Sequence, residues 1–282
     1  MTDKFEWLED IESQKSLNWV SRQNQKTLEH YKNQKSFNQT VDDFKAILSD
    51  QRKISIPLEI DGEYVYNFWQ DQNHPLGLWR RISLEKYIQN LSEWENLLDL
   101  DELSKNEKID WSFQSASLSP ERKKALIHLS AGGGDSNIVR EFDLDSKSFL
   151  KNGFYFPDSK GGCTWLSENE VLALRENGPD SLTESGYPRE LRKVKRGENL
   201  SSGEILYQTS KENPMLFYLK PKGEKRSLFY ILDFFNFYEL KLYKWENEEV
   251  FKLDFPRKVG AADSYKNHIV FELCEDWKDY KS

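Results

Sequence analysis

Cutting a peptide or ester bond calls for a nucleophile with a base beside it, and the 282 residues offer few candidates. A serine nucleophile on a strained strand-to-helix turn reads G-x-S-x-G. Gly134-Asp135-Ser136 starts that pattern, but Ile138 stands where the second glycine belongs. The four histidines, His30, His74, His128 and His268, adjoin no nucleophile in a nameable motif. His128 alternates within an apolar run and reads as a satisfied core histidine. Two cysteines far apart in sequence, Cys163 and Cys274, exclude a disulfide scaffold and a cysteine-rich zinc site. Asp99 and Asp101 read as a polar turn rather than an acid–base pair. Ala131-Gly132-Gly133-Gly134-Asp135 lacks the Gly-Lys-Ser/Thr of a phosphate cradle, so it reads as a hairpin turn. Asp143-x-Asp145 opens like a calcium loop, but Lys147 and Ser148 occupy the places of a ligand and of the required glycine. Five basic residues, Arg189, Arg192, Lys193, Lys195 and Arg196, fit either an anion or acidic-peptide contact or a solvated edge strand, and edge protection is the preferred reading. No catalytic residue, cofactor site or metal site is assigned.

The elements that would position such groups fall into two kinds. Residues 1–56 contain no proline, and Leu17, Val20, Leu28 and Tyr31 recur near one helical face. Phe44, Ile47 and Leu48 form an i, i+3, i+4 stripe, and Thr40 with Asp43 resembles a capping box. The spacing predicts two or three helices. After Pro57 the period becomes two, with Tyr64, Tyr66 and Phe68 alternating against Glu63, Val65 and Asn67. Asp61-Gly62 signals a turn before that strand, Leu78 to Ile82 begins the next, and Leu84 to Ile88 reads as a short helix. Trp111-Ser112 and Trp165-Leu166-Ser167 then open two similar units 54 residues apart. Each continues into an apolar strand (Ala125 to Ile127, Val171 to Leu174) and an Arg-Glu strand (Arg140-Glu141-Phe142, Arg189-Glu190-Leu191). One tryptophan per unit and a period near 50 residues suggest propeller blades, with a β-sandwich as the competing fold. Further strands are expected at Leu216 to Leu219, Leu228 to Leu232, Tyr238 to Tyr243, Val250 to Leu253 and Ile269 to Leu273.

Composition removes whole classes of function. Lys and Arg number 40 against 48 Asp and Glu, a net charge of -8, the wrong sign for displacing counterions from nucleic acid or for docking on anionic membranes. Aromatic residues make up 14%, which disordered chains lack. The opening Met-Thr-Asp-Lys-Phe-Glu has neither a basic nor an apolar export region. The most apolar run, Leu228 to Leu232, is interrupted by Asp233, so no membrane span is expected and a reducing cytoplasm is the default.

An ordered set of motifs resembles the N-terminal portion of the prolyl oligopeptidase family of serine peptidases. Trp7-Leu8-Glu9-Asp10, Trp19-Val20 and Asn24 are similar to the family's first helices. Tyr64 to Trp69, Asp71 and Asn73-His74-Pro75-Leu76-Gly77-Leu78-Trp79-Arg80-Arg81 are similar to its first blade, whose bacterial pattern is F-W-x-D-x-x-N-P-x-G-L-W-R-R; His74 replaces the asparagine before Pro75. Trp94 with Leu97-Leu98-Asp99, Ser130-Ala131-Gly132-Gly133, Arg140 to Asp143, and Ser185-Gly186-Tyr187-Pro188-Arg189 with Lys195-Arg196-Gly197 follow in order.

The resemblance implies a mainly β fold: N-terminal helices over residues 1–56, then an incomplete propeller over residues 57–282, with about four blades of a seven-bladed type and the start of a fifth. It implies a serine-type endopeptidase in which the propeller restricts access to peptides, while the Ser-Asp-His triad lies in a hydrolase domain beyond this sequence. No triad position matches a residue here, so none is carried over. Two readings follow. The chain is the access-restricting part of such a peptidase, acting on peptide substrate only together with a hydrolase domain that a second polypeptide could carry. Alternatively it is a non-catalytic interaction module or truncated product. Neither reading requires a cofactor, nucleic acid or a membrane.

Overall fold

Period-two apolar runs joined by glycine turns dominate the chain from residue 58 onward, and the computed structural model arranges them as five antiparallel sheets in sequence order. The structure describes residues 3–50, 52–221, 228–265 and 268–282; Met1, Thr2 and Gln51 of the expected helical segment lie outside them. The chain divides into two compact units, Met1–Ser55 with Gln70–Pro75, and Ile56–Trp69 with Leu76–Ser282.

The first unit holds α1 (Gln14–Lys32) and α2 (Lys35–Leu48). Ser13 caps α1 by accepting the Ser16 amide, and the Ser16 hydroxyl donates back to the Trp7 carbonyl at 3.0 Å. Trp7 meets Trp19 edge to face. The expected cap at Thr40 is corrected: α2 begins at Lys35 behind an extended Gln34, so Thr40 is interior, and Asp43 accepts from the Gln39 side chain instead. Leu17, Val20, Leu28 and Tyr31 on α1, and Phe44, Ile47 and Leu48 on α2, remain exposed.

In the second unit, β1 (Glu59–Ile60), β2 (Tyr64–Trp69), β3 (Leu78–Ser83) and β4 (Glu95–Asp99) form the first sheet, interrupted by α3 (Leu84–Ile88). After α4 (Leu100–Glu107), β5 (Trp111–Leu118), β6 (Lys124–Ala131), β7 (Asn137–Asp143), β8 (Ser148–Phe149) and β9 (Tyr155–Ser159) form the second. The third contains β10 (Cys163–Ser167), β11 (Glu170–Leu174), β12 (Glu190–Lys195) and β13 (Glu204–Gln208). The fourth contains β14 (Met215–Leu219), β15 (Phe229–Phe234), β16 (Leu240–Glu246) and β17 (Glu249–Lys252). The fifth has β18 (Val259–Tyr265) and β19 (His268–Leu273). First strands begin at Glu59, Trp111, Cys163 and Met215, a repeat of 52 residues each time.

Strand alternation welds the sheets face to face, because successive side chains point to opposite sides. On β6, Ala125, Ile127 and Leu129 join a core with the first sheet, while Leu126 joins one with the third. On β11, Val171 and Ala173 face the second sheet, while Leu172 and Leu174 face the fourth. On β15, Phe229 and Ile231 face the third sheet and Tyr230 the fifth. A middle strand buried on both sides and a core between every consecutive pair of sheets are the organisation of a β-propeller preceded by helices. The expectation of about four blades is corrected to five, because the hairpin Val259–Leu273 pairs within itself as a separate sheet rather than extending the fourth. The expected polar side of β2 is also corrected: Val65 and Asn67 are buried.

Candidate functional site

A concavity runs along the first strands of the first three sheets. Its volume is about 1160 Å³. Residues Leu58 to Asp61 at β1, Phe113 to Ser119 on β5, Thr164 and Trp165 on β10, and Lys220 beyond β14 form its wall. The first three sheets contribute their leading strands, and the fourth the residues just after its own, because each sheet is a meander that leaves the leading strand at one edge.

The wall mixes polar and apolar side chains, and hydrogen bonds within and between sheets hold it in place. At the Asp61-Gly62 turn, Asp61 Oδ1 accepts the amides of Glu63 and Tyr64 at 2.9 and 2.7 Å, and Asp61 Oδ2 accepts from the Tyr66 hydroxyl at 3.2 Å. Burial, with the Asp61 charge adding to it, pushes the Tyr66 phenol upward. Trp165 Nε1 donates to the Ser117 carbonyl at 2.8 Å, Ser117 and Thr164 share a hydroxyl contact at 3.1 Å, and the Lys220 ammonium donates to the Trp165 carbonyl. The Ser119 hydroxyl is buried and has no hydrogen-bond partner among the described residues. The cavity therefore brings together serine and threonine hydroxyls, the carboxylates of Glu59 and Asp61, and the cations of Arg122 and Lys220. It can hold and orient a polar chain. It offers no histidine beside a hydroxyl nucleophile.

The residues weighed from sequence lie elsewhere. Among the described residues no group of three His, Cys, Asp or Glu could hold a metal ion. Asp99 caps α4 by accepting the amides of Asp101 and Glu102, and Asp101 accepts the amides of Leu76 and Gly77. Asp71, not a nucleophile, is the partner of His74. His30 stands edge to face with Tyr31, and His268 opens the exposed β19. Ala131 to Asp135 is the turn between β6 and β7, with Gly132 and Gly133 at φ +63° and +73°, a conformation that costs glycine nothing. Asp143 Oδ1 accepts both the Ser146 amide and hydroxyl, the bonds that hold its carboxyl below the usual range.

The expected edge strand is corrected: Arg192, Lys193 and Lys195 lie on β12, which pairs with β11 on one side and β13 on the other, and Arg189 and Arg196 flank it. Arg192 is buried against Glu190 and the Gly203 carbonyl. Arg196 reaches the second sheet and grips Glu141 through two parallel bonds of 2.8 and 2.9 Å. Lys193 pairs with Glu204 at 2.8 Å. Sequence reasoning missed this use because Glu141 and Arg196 are 55 positions apart. The signal that was present is the buried Glu in each Arg-Glu strand.

The comparisons agree with this architecture. A family model described as the prolyl oligopeptidase N-terminal beta-propeller domain matches residues 1–234. An uncharacterized peptidase of Sinorhizobium fredii is 33% identical over 288 residues, covering 99% of this chain and 40% of its own length. One of Rickettsia prowazekii is 30% identical, with 96% and 40% covered. The structure of a post-proline cleaving enzyme from Rickettsia typhi superimposes with a TM-score of 0.85 at 29% identity, over 96% of this chain and 41% of that one. The chain thus spans about two fifths of the length of the relatives it matches. A sheet-by-sheet propeller behind N-terminal helices and a family match over most of the sequence lead to one conclusion: the chain belongs to the prolyl oligopeptidase N-terminal β-propeller family.

Proposed function

We propose that this chain is the access-restricting part of a post-proline-cleaving serine endopeptidase, and that acyl transfer is performed by a hydrolase portion outside these 282 residues. The observation that carries this reading is coverage: nearly the whole chain matches only 40% of each peptidase relative. The cavity of about 1160 Å³, with both polar and apolar lining, suits an extended peptide. On this reading the complete ring has seven blades, two more than the sheets seen here. The substrate is a peptide reached only together with the hydrolase portion, supplied either in the same chain or by a second polypeptide. A cytoplasmic setting goes with it, since Cys163 and Cys274 are both free thiols.

The test is to isolate the native product with an antibody to this chain and treat it with a serine-reactive phosphonate. A labelled serine within G-x-S-x-G, in the same or a co-isolated polypeptide, together with cleavage of a short proline-containing peptide but not of casein, is the expected outcome. An isolated product that takes no label and cleaves neither substrate overturns the reading. That result selects a non-catalytic interaction module, which the exposed apolar side chains Phe44, Ile47 and Leu48 on α2 would serve.

A further inference from the structure

The seam between the second and third sheets contains a buried polar cluster that the proposed function does not use. Its members are His128 on β6, Asn137 on β7, Cys163 on β10 and Arg175 just beyond β11. Arg175 is 1% exposed. Its Nη1 donates to Asn137 Oδ1 at 2.8 Å and to the Gly161 carbonyl at 3.2 Å. Its Nη2 donates to the carbonyls of Asn137 and Pro157, and its Nε is buried without a partner among the described residues. The guanidinium is thus held by neutral acceptors.

These bonds fix the chemistry around His128. A guanidinium has no acceptor, so the Asn137 atom it bonds must be oxygen, and Asn137 Nδ2 correspondingly donates to the Gly161 carbonyl at 3.2 Å. That same oxygen lies 3.2 Å from His128 Nδ1. His128 Nε2 lies 3.1 Å from the Cys163 carbonyl. Both ring nitrogens therefore face acceptors, while a neutral imidazole carries one N–H. A proton would satisfy the second contact, but it would place a second cation beside Arg175 in a water-poor seam. The titratable groups nearby are Arg175 itself, the buried Cys163 thiol and the Tyr218 phenol of β14, whose hydroxyl stands over Gly162; Asp158 acts on Arg175 from β9.

We propose that His128 is a proton-sensitive latch of this seam: neutral, it holds the second sheet to the third, and protonated beside Arg175 it uncouples them. Burial, reinforced by the Arg175 charge, lowers the imidazole to about 4. The sign follows. A group whose folded pKa lies below its ordinary 6.5 leaves the folded state with fewer bound protons than the opened state between those values, so acid favours opening.

The experiment uses the full chain with Cys274→Ser, leaving Cys163 as the reporter thiol, because it is buried in this seam. Its labelling by 4,4′-dithiodipyridine, divided at each pH by the rate for free glutathione because the thiolate is the attacking species, is followed at pH 7 and pH 5, with and without His128→Gln. If opening exposes His128 at its ordinary pKa, linkage predicts labelling about twentyfold faster at pH 5 in the wild-type background, and little acceleration in His128→Gln. Equal acceleration in both, or none in either, overturns the latch. Should His128→Gln fail to fold, imidazole titration by NMR in the wild-type chain decides: a His128 midpoint below about 5.5 supports it and a higher one overturns it.

Discussion

The seam between the second and third sheets and the seam between the fourth and fifth are built from the same repeat, yet they are held together differently. The first has an apolar core of Leu126, Val139, Phe154, Phe156, Trp165, Val171, Ala173 and Val194. Polar links cross it, among them Arg196 to Glu141, Arg175 to Asn137, Trp165 to Ser117, Ser117 to Thr164, His128 to the Cys163 carbonyl and Glu168 to the Glu121 amide. The last seam has a core of Leu228, Tyr230, Leu240 and Leu242, but its fifth-sheet contributors, Val259 and Ile269, are only partly buried. Apolar burial is non-directional, so it can join sheets without fixing how they are set. Buried charge pairs tolerate one geometry and punish all others. The contrast teaches that the middle seam combines apolar burial with directional polar ties, whereas the fifth-sheet side of the last seam is less deeply buried.

The comparison is broken most severely by Arg196→Met. Glu141, with a fully buried side chain, would lose its bidentate partner and keep the Phe154 amide at 2.7 Å and, as its cation, Lys124 at 3.7 Å. Loss of about 3–5 kcal/mol is expected in urea denaturation, and a loss under about 1 kcal/mol would show that the pair does not fix the seam. Leu126→Ala, which empties a fully buried site, should cost about 3 kcal/mol. Acid should act next. Between pH 7 and pH 5 the middle seam should lose about 2 kcal/mol through His128, read as a fall in melting temperature that His128→Gln removes. Ile269→Ala, in the half-solvated fifth sheet, should cost about 1 kcal/mol or less. If it matched Leu126→Ala, the last seam would be as tight as the middle one. A glycine pair sharpens the same point. A Cβ at Gly161 would collide with the Leu174 carbonyl, whereas at Gly178 it would meet open space, although both have positive φ. Gly161→Ala should therefore be the more damaging of the two by thermal melting.

Much of this organisation is legible from residue pattern. The Leu84–Ile88 helix, the glycine turn after Ala131 and the two-faced apolar strands around Leu126 and Leu172 all declare themselves locally. What stays hidden is set by distant partners or by weak local signal. β18 reads Val-Gly-Ala-Ala-Asp-Ser-Tyr, with too little apolar alternation to announce a strand, so the fifth sheet is undercounted. Arg175 is a lone arginine after an apolar run, and its acceptors lie up to 38 positions away. Asp233 looks like a break in the Leu228–Leu232 run. In fact it is buried within β15, where Tyr207 and Asn213 hydrogen-bond it at 2.7 and 2.9 Å. The cavity is equally invisible, because it arises from the stacking of leading strands rather than from any motif.

The 52-residue spacing of those leading strands also sets a clock. Among the described residues each apolar core joins sheets adjacent in sequence, so none of these cores has to wait for a distant part of the chain. At synthesis rates of roughly 5–20 residues per second, one sheet leaves the ribosome about every 3–10 s. That interval far exceeds the microseconds a hairpin needs to form. Each newly made sheet can therefore settle on the one before it during translation, and the growing polypeptide exposes one raw apolar face at a time.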